Sequence, residues 1–206
     1  GLLENRRFDF KGNLLGSCRR YFTVCEPFPD WDAPPPLSAE TWETSARYNA
    51  QNRVLQQSSP DGCCQTFGYD LLGRVCTVSG SVPGLPEETL VEQIEYNEQG
   101  QRSRILYANG VATVSAYDPL TWRLKTCVSG LAPGDVLQNL AYTYDPVGNI
   151  TRIRDLAGET VFFANGTVSP ESDYVCDSLY RLVTASGREH EGQNLPAGPE
   201  DSSRIF

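Results

Sequence analysis

The side chains with the most reactive chemistry in this sequence are its seven cysteines, at positions 18, 25, 63, 64, 76, 127 and 176. Such thiols can be buried as small hydrophobic groups, or they can pair as disulfides in a secreted protein. An odd number leaves at least one thiol unpaired within the monomer or pairing between chains, and the spacing fixes no connectivity. Zinc is disfavoured because the only vicinal pair is Cys63-Cys64 and the single histidine, His190, stands far from zinc-ligand spacings. We therefore expect no metal and no cofactor.

Candidates for acid–base catalysis are equally few. His190 lies between two glutamates, a pattern more typical of a surface histidine in a charged turn than of a catalytic base. Sequence alone places no two of the acids at catalytic distance from each other. The acids considered are Asp145, Asp155, Asp173 and Asp177. Because G-x-S-x-G, P-loop and H-E-x-x-H motifs are also missing from the sequence, we predict that the chain is not an enzyme.

Charge and composition disfavour two further classes of function. A net charge of −9 with few basic clusters argues against nucleic acid as a partner, because that binding depends on Lys and Arg at phosphates. No apolar run approaches the roughly 20 residues of a membrane helix, and no signal peptide opens the sequence. The 18 glycines, 14 prolines and 10 tyrosines are typical of a soluble protein rich in β-structure.

The acids and glycines recur in one fixed order, which is clearest in "YDLLGRV" at 69–75. Asp70 and Gly73 occupy the first and fourth positions of a type I turn, where the acid accepts backbone N–H bonds and the glycine adopts a left-handed conformation. Tyr69 and Val75 then flank the turn and can pair across two strands. The stretch therefore predicts a β-hairpin.

This order occurs seven times, with copies beginning at positions 8, 48, 69, 96, 117, 144 and 176. In the last copy, Cys176 replaces the aromatic residue. The predicted turn residues are Asp9, Gly12, Asn49, Asp70, Gly73, Asn97, Gly100, Asp118, Asp145, Gly148 and Asp177. Seven copies with a shared order predict an array of repeated hairpins.

Alternating hydrophobicity predicts strands between the turns, at 20–25, 103–117, 138–144 and 159–168, with a hairpin turn at Asn109-Gly110. The segment 86–94 starts with proline as a helix does, but it leads directly into the copy at Tyr96, and a strand is favoured. We expect a single domain over residues 1–206, with a Pro-rich loop at 25–42 and a flexible tail from about residue 194.

Four stretches carry a family resemblance: "YNEQGQRSRILYANG", "YDPLTWRL", "YTYDPVGNITRIRD" and "CDSLYRLVTASGREHEGQ". Together with the other copies they resemble, over roughly residues 5–193, the RHS/YD-repeat region of the C component of insecticidal Tc toxin complexes. The resemblance implies a continuous, spirally coiled sheet of hairpins that forms a hollow shell. In the toxins this shell encloses a cytotoxic C-terminal segment.

The expected fold is therefore all-β, with YD-repeat hairpins in a curved or spiral antiparallel sheet that makes part of an RHS shell. The alternative is a small closed β-barrel, whose closure would remove the sheet edges. A complete shell of the family needs several times this length, so we expect 206 residues to form a strip with exposed edges. The family's autoproteolytic ending has no counterpart here, because "DPVGN" at 145–149 is a repeat turn.

The resemblance implies a non-enzymatic wall segment of a toxin shell in a secreted or extracellular setting, with the toxic cargo or the remaining shell as its partners. Exposed strand edges also predict association, most simply as a homodimer. The alternative is a stand-alone secreted recognition protein that binds carbohydrate or cell surfaces. Its aromatic side chains would stack on sugars, or else clasp the hairpins. The candidates for ligand stacking are Trp31, Trp42, Tyr107 and Trp122.

Overall fold

The fold consists of β-strands throughout the part of the chain that the computed structural model describes, residues 1–24, 32–131, 134–163 and 166–188. By its internal contacts the chain divides into two compact units, Gly1–Gly110 and Val111–Phe206. The all-β prediction is confirmed. The tail predicted from residue 194 and the part of the Pro-rich segment at 25–31 lie outside the described residues.

The first unit is an antiparallel sheet in which each strand pairs with its neighbours in the sequence. Its eight strands are β1 (Leu2–Phe8), β2 (Leu14–Arg20), β3 (Trp42–Tyr48), β4 (Val54–Ser58), β5 (Cys64–Tyr69), β6 (Val75–Ser81), β7 (Glu88–Tyr96) and β8 (Arg102–Tyr107). The strand β7 confirms the prediction of a strand, and not a helix, in segment 86–94.

The second unit continues the same pattern of antiparallel hairpins. Its strands are β9 (Val111–Tyr117), β10 (Leu124–Leu131), β11 (Asp135–Tyr144), β12 (Ile150–Asp155), β13 (Val161–Phe163), β14 (Gly166–Val168), β15 (Glu171–Cys176) and β16 (Leu182–Ser186). Here β12 pairs with β15, while β13 and β14 form a separate small hairpin. The strand order is therefore set by local connections.

The repeat fixes where each hairpin bends. In all seven copies the aromatic position is the last residue of a strand, and the strand register shifts immediately before it. In the copy at Tyr69, for example, Gly68 faces Thr77 and Tyr69 faces Val75, so that one residue of β6 has no partner. Such bulges increase the local twist and redirect side chains at a strand end.

The alternative of a closed barrel is wrong. Within the described residues of the first unit, β1 pairs with β2 alone and has no register with β8. Among the described strands of the second unit, β16 pairs with β15 alone and has no register with β9. The hairpins of each unit are joined side by side, and among the described strands no pairing returns from the last strand to the first, so the sheet is not closed.

The sheet carries little fully buried material. Among the described side chains only Cys18 is completely buried, with 1% of its surface exposed. In β6 all seven residues are half-buried, so neither face of that strand is fully covered. Because so few of the described side chains are fully buried, cross-strand pairs and turns must supply much of the stability.

One predicted strand is misplaced. The alternation at 20–25 predicts an extended stretch, but β2 ends at Arg20 and residues 21–24 contain only an isolated bridge between Phe22 and Leu37. Strand β2 ends where its partners end: its last pair with β1 is Arg20↔Leu2, and its last pair with β3 is Arg19↔Trp42. The described part of the Pro-rich segment, 32–41, is irregular and bonds back through the Ser38 amide to the Tyr21 carbonyl.

Candidate functional site

The repeated turn is the recurring structural feature of the chain, and the copy at 69–75 shows its wiring. The Gly73 amide donates to the Asp70 carbonyl at 2.9 Å, and the Asp70 amide donates to the Arg74 carbonyl at 2.8 Å. One carboxylate oxygen of Asp70, Oδ1, accepts the Arg74 amide at 2.8 Å. The other, Oδ2, accepts Arg74 Nε, also at 2.8 Å. The Asp70 side chain therefore adds two hydrogen bonds to those that the backbone makes across the turn.

The remaining copies use their acid or amide in the same role. In each, the side-chain Oδ1 accepts at least two backbone N–H groups of the turn, over distances of 2.7 to 3.1 Å. These acceptors are Asp9, Asn49, Asn97, Asp118, Asp145 and Asp177. Asparagine can replace aspartate because both have an Oδ1 acceptor on Cγ, at the same distance from the backbone.

The last turn residue adopts a left-handed conformation in every copy. Four copies place glycine there, with φ between 78° and 116°: Gly12, Gly73, Gly100 and Gly148. Three copies place another residue there with φ of 62°: Asn52, Trp122 and Tyr180. The turn at Asp118 has one additional residue, because its amide donates to the Arg123 carbonyl. Glycine is therefore a preference of this turn and not a requirement.

The hydrogen bonds hold the turn carboxylates in the ionised form. The Arg74 amide and guanidinium lower the pKa of Asp70 below its ordinary value. The backbone amide and then the side chain of Arg181 lower the pKa of Asp177 in the same way. These acids are therefore structural acceptors near neutral pH, not proton donors.

A tyrosine links successive copies, and the repeat pattern alone does not predict this link. The Tyr69 hydroxyl donates to the Val54 carbonyl at 2.6 Å, and Tyr96 repeats this bond to Val75 at 2.7 Å. In the second unit the Tyr144 hydroxyl donates to the Leu124 carbonyl at 2.8 Å. The acceptor is always the first residue of the strand that follows the preceding turn.

An arginine of the preceding turn covers the same tyrosine ring. The Cζ atom of Arg74 lies 4.4 Å from the ring centroid of Tyr96. The corresponding distances are 5.7 Å for Arg53 over Tyr69 and 5.6 Å for Arg123 over Tyr144. All three lie within the roughly 6 Å over which a guanidinium is attracted to an aromatic face. We call this unit of arginine, carbonyl and incoming tyrosine the tyrosine clasp.

The sequence does contain a signal for the clasp. An arginine directly precedes the first aliphatic residue after four of the seven turns, in "NRV", "GRV", "WRL" and "YRL". These arginines are Arg53, Arg74, Arg123 and Arg181. The repeat pattern alone defines this position as polar, whereas its specific partner lies one hairpin further along the chain.

The residues considered for ligand stacking are placed on separate elements. Trp42 starts β3 and packs edge-on against Tyr21, with ring centroids 6.5 Å apart. Tyr107 ends β8 opposite Val91, and Trp122 occupies the left-handed turn position. Trp31 lies outside the described residues. Carbohydrate stacking by these aromatics stays a prediction.

The reactive side chains show no assembled centre in the described residues. The six described cysteines, Cys18, Cys63, Cys64, Cys76, Cys127 and Cys176, are free thiols there. No group of three or more metal-ligating side chains occurs in the same ranges. Of the acids, Asp155 accepts the Asn139 amide and Asp173 pairs with Arg152 at 2.6 Å, whereas His190 lies outside the described residues. A search of the described part for a helix long and apolar enough to cross a bilayer finds none.

Comparison with known proteins identifies sequences with the same pattern. No protein-family model matches the chain. The toxin subunits YenC1 and YenC2 of Yersinia entomophaga are 37% and 38% identical to it over 174 and 181 residues. The alignments cover 82% and 81% of this chain but only 17% and 19% of those subunits. The chain thus spans a minor part of the relatives that it matches.

Solved structures contain a similar array of hairpins. The crystal structures of TcdB2-TccC3 and TcdB2-TccC3-Cdc42 match with TM-scores of 0.72 and 0.71, each at 29% identity. A structure of the Photorhabdus luminescens Tc holotoxin pore matches with a TM-score of 0.72 at 28% identity. These matches cover 90% or 91% of this chain and 9% of the other chains. The antiparallel hairpin array therefore has a direct counterpart in those assemblies.

Proposed function

Because the chain is homologous over most of its length to the C component subunits of Tc toxins and corresponds to part of their RHS shell, we propose that it is a non-enzymatic wall segment that helps to enclose a toxic cargo. The observation that carries this proposal is the match of the hairpin array to TcdB2-TccC3 over 91% of the chain. A wall needs strands that continue from one repeat to the next and no reactive centre of its own.

The energetics of the hairpins fit such a wall. Each turn is closed by its own acid or amide, and each clasp joins one copy to the next. A cooperative strip can therefore grow by adding hairpins, without requiring a buried core. The proposal includes a secreted or extracellular location and, as partners, the cargo and the remaining shell.

The proposal can be tested by transferring the chain into a full-length relative. The matching segment of YenC1 would be replaced by residues 5–193 of this chain, and the chimera would be digested with a broad-specificity protease. We expect the C-terminal part of the chimera to be digested as slowly as in unmodified YenC1. The control is the same chimera with Gly73→Val and Gly148→Val, which strains two turns of the wall. Digestion of the first chimera as fast as of this control would contradict the proposal.

A further inference from the structure

A polar groove of about 480 Å³ crosses the first four strands and includes no residue of the repeat turns. Its lining includes Arg6 and Arg7 of β1, Gly16 of β2, Glu43 and Ser45 of β3, and Ser58 of β4. The tyrosine clasps use none of these side chains. A cavity of this size lies within the range of small-molecule sites in proteins, roughly 300–1,000 Å³.

Strand register brings four of these residues into one row. Arg7 of β1 lies opposite Gly16 of β2. Gly16 lies opposite Ser45 of β3, which in turn lies opposite Ser58 of β4. Because residues directly opposite each other in an antiparallel sheet point to the same face, a guanidinium and two hydroxyls line one face across these strands.

Glycine at position 16 lets the Arg7 side chain lie on the sheet. A Cβ atom on Gly16 would be 3.1 Å from Arg7 Nη2 and 3.2 Å from Arg7 Nε, which is closer than ordinary van der Waals contact. The guanidinium therefore covers the place of the missing side chain, and Gly16 is buried although Arg7 is exposed. The cation is thus positioned at one end of the row.

The two consecutive arginines of β1 differ in their partners. Arg6 is the extra residue of a bulge, and it pairs with Glu4 at 2.9 Å and with Glu43 at 3.1 Å. The guanidinium of Arg7 has neither a hydrogen-bond partner nor an ion-pair partner among the described residues. Its N–H donors are therefore available to an acceptor in the groove.

The hydroxyls at the other end of the row also offer a donor. Ser45 Oγ and Ser58 Oγ are 2.5 Å apart, so that one hydroxyl donates to the other. The accepting hydroxyl keeps its own hydrogen for a third oxygen atom. A ligand that meets both ends of the row therefore needs oxygen acceptors and no donors.

The local charge favours a ligand with a single negative charge. The positive charges of Arg6 and Arg7 are balanced by the negative charges of Glu4 and Glu43. The hydrogen bond from Arg6 lowers the pKa of Glu4, so that Glu4 stays ionised near neutral pH. Glu43, which lines the groove, would repel the second charge of a dianion. A carboxylate meets these conditions, because it is a planar monoanion whose two acceptor oxygens match a guanidinium.

We propose that Arg7, Ser45 and Ser58 form a binding site for a carboxylate group, carried by a small organic acid or by an acidic side chain of a peptide. Arg7 donates to both carboxylate oxygens, and the remaining hydroxyl hydrogen of the serine pair is donated to one of them. The site goes beyond the proposed wall role and does not depend on it, because it is built within the first unit alone.

The test is an NMR titration of the ¹⁵N-labelled protein with acetate, with sulfate, with the peptide N-acetyl-Gly-Glu-Gly-amide and with its Gly-Gln-Gly counterpart. With acetate and the glutamate peptide we expect saturable shifts of the Gly16, Ser45 and Ser58 amides and of the Arg7 Nε–H signal. The glutamine peptide should bind about tenfold more weakly, because it cannot form charge-assisted hydrogen bonds. Sulfate, a dianion, should bind more weakly than acetate. Equal affinity for acetate and the glutamate peptide would support a small acid as the ligand, and tighter binding of the peptide would support an acidic side chain.

Two variants separate the position of Arg7 from its charge. Arg7→Gln removes the guanidinium and should abolish saturable binding of acetate. Gly16→Ala keeps every charge but places a methyl group where the guanidinium lies, and it should weaken binding about fivefold, the typical effect of losing one hydrogen bond. The control is Arg19→Gln, which removes an exposed arginine three residues from Gly16 on β2. Because strand alternation points its side chain to the opposite face, this variant should leave the titration unchanged.

The inference is overturned if these signals do not shift saturably with acetate, or if the glutamine peptide binds as tightly as the glutamate peptide. Tighter binding of sulfate than of acetate would also overturn it, since the groove would then respond to charge and not to a carboxylate. Equal weakening by Arg7→Gln and Arg19→Gln would have the same meaning. If Arg7→Gln does not fold, the comparison of Gly16→Ala with Arg19→Gln decides in its place. None of these results bears on the chimera experiment.

Discussion

The turns at 70–74 and 177–181 have the same hydrogen bonds but differ in whether a tyrosine ring covers their arginine. In both, an aspartate accepts the amide and the guanidinium of an arginine four residues later. Gly73 occupies the left-handed position in one, with φ of 80°, and Tyr180 occupies it in the other, with φ of 62°. Only the first is covered by a tyrosine from the next hairpin. Turn closure is thus a local property, whereas the clasp is a property of two adjacent repeats.

This difference separates two contributions to the stability of the strip. Local closure needs an acid or amide and a residue that tolerates positive φ, which the chain provides in all seven copies. The clasp adds a hydrogen bond and a cation–π contact between hairpins, and it is described in three places. Substitutions in the two turns can measure each contribution separately.

The largest effect is expected from Gly73→Val. A β-branched residue is strained at φ of 80°, and a Cβ atom there would also collide with the Arg53 guanidinium that covers Tyr69. We expect a loss of about 2–3 kcal/mol in the free energy of unfolding, measured by urea denaturation. Gly100→Val is the control, since its φ is 78° and nothing lies within 4 Å of the point that a Cβ atom would occupy. Equal losses would show that only the backbone, and not the neighbouring clasp, is affected.

The second largest effect is expected from the arginines, whose substitution by alanine should cost different amounts of stability at Arg74 and at Arg181. Arg74→Ala removes an ion pair and the cation–π contact with Tyr96, and we expect it to cost about 1–2 kcal/mol. Arg181→Ala removes the same kind of ion pair without a ring above it, and we expect less than about 0.5 kcal/mol. Denaturation of both variants under one condition gives the comparison. Losses of the same size would mean that the ring contributes nothing.

The tyrosine hydroxyl should contribute a smaller amount. Tyr96→Phe keeps the ring over Arg74 but leaves the Val75 carbonyl without its donor, at an expected cost of about 1 kcal/mol. Phe8→Tyr is the converse control, because it adds a hydroxyl to the first strand, where no clasp is formed. A stability of Tyr96→Phe equal to that of the unsubstituted chain would remove the hydrogen bond from the clasp.

The smallest effect is a local response to acid. The pKa of Asp70 is lowered by its bonds to Arg74, so its contribution is complete above about pH 4 and is lost as the pH falls through the native pKa. The Asn97 turn makes the same bond to the Gln101 amide without a titrating group. An NMR titration from about pH 6 to about pH 2.5, which spans the usual aspartate range, should therefore shift the Arg74 amide and leave the Gln101 amide in place. Parallel shifts of both amides would contradict this account.

The sequence predicts well the turns and strands whose conformation is determined by residues close together in the chain. Asp70, Gly73 and their counterparts act in the turns in which their spacing places them, and β7 is a strand as expected. Where glycine is replaced, as at Trp122 and Tyr180, the residue type provides no reason to expect positive φ. An aromatic residue in that position is held by the surrounding turn bonds, which the sequence pattern alone does not specify.

The parts that sequence does not predict depend on register between strands. The hairpin at Phe8 predicts a strand after its turn, but the alternation at 20–25 places a strand too late, because β2 over Leu14–Arg20 is set by its register with β1 and β3. The clasp is not predicted by the repeat pattern, because it depends on a bulge before each aromatic residue that directs the ring to the preceding turn. A bulge changes which residues face each other, and nothing in the repeat unit fixes that choice locally.

A double-mutant cycle between Arg74 and Tyr96 tests most directly the claim that tyrosine clasps join the repeats. The unfolding free energies of Arg74→Ala, Tyr96→Leu and the double variant would be compared with that of the unsubstituted chain. We predict a favourable coupling of about 0.5–1.5 kcal/mol, while a cycle of Arg181→Ala with Tyr96→Leu should be additive. A coupling between Arg74 and Tyr96 that is zero within error would contradict the account, since the two side chains would then be neighbours without an energetic link.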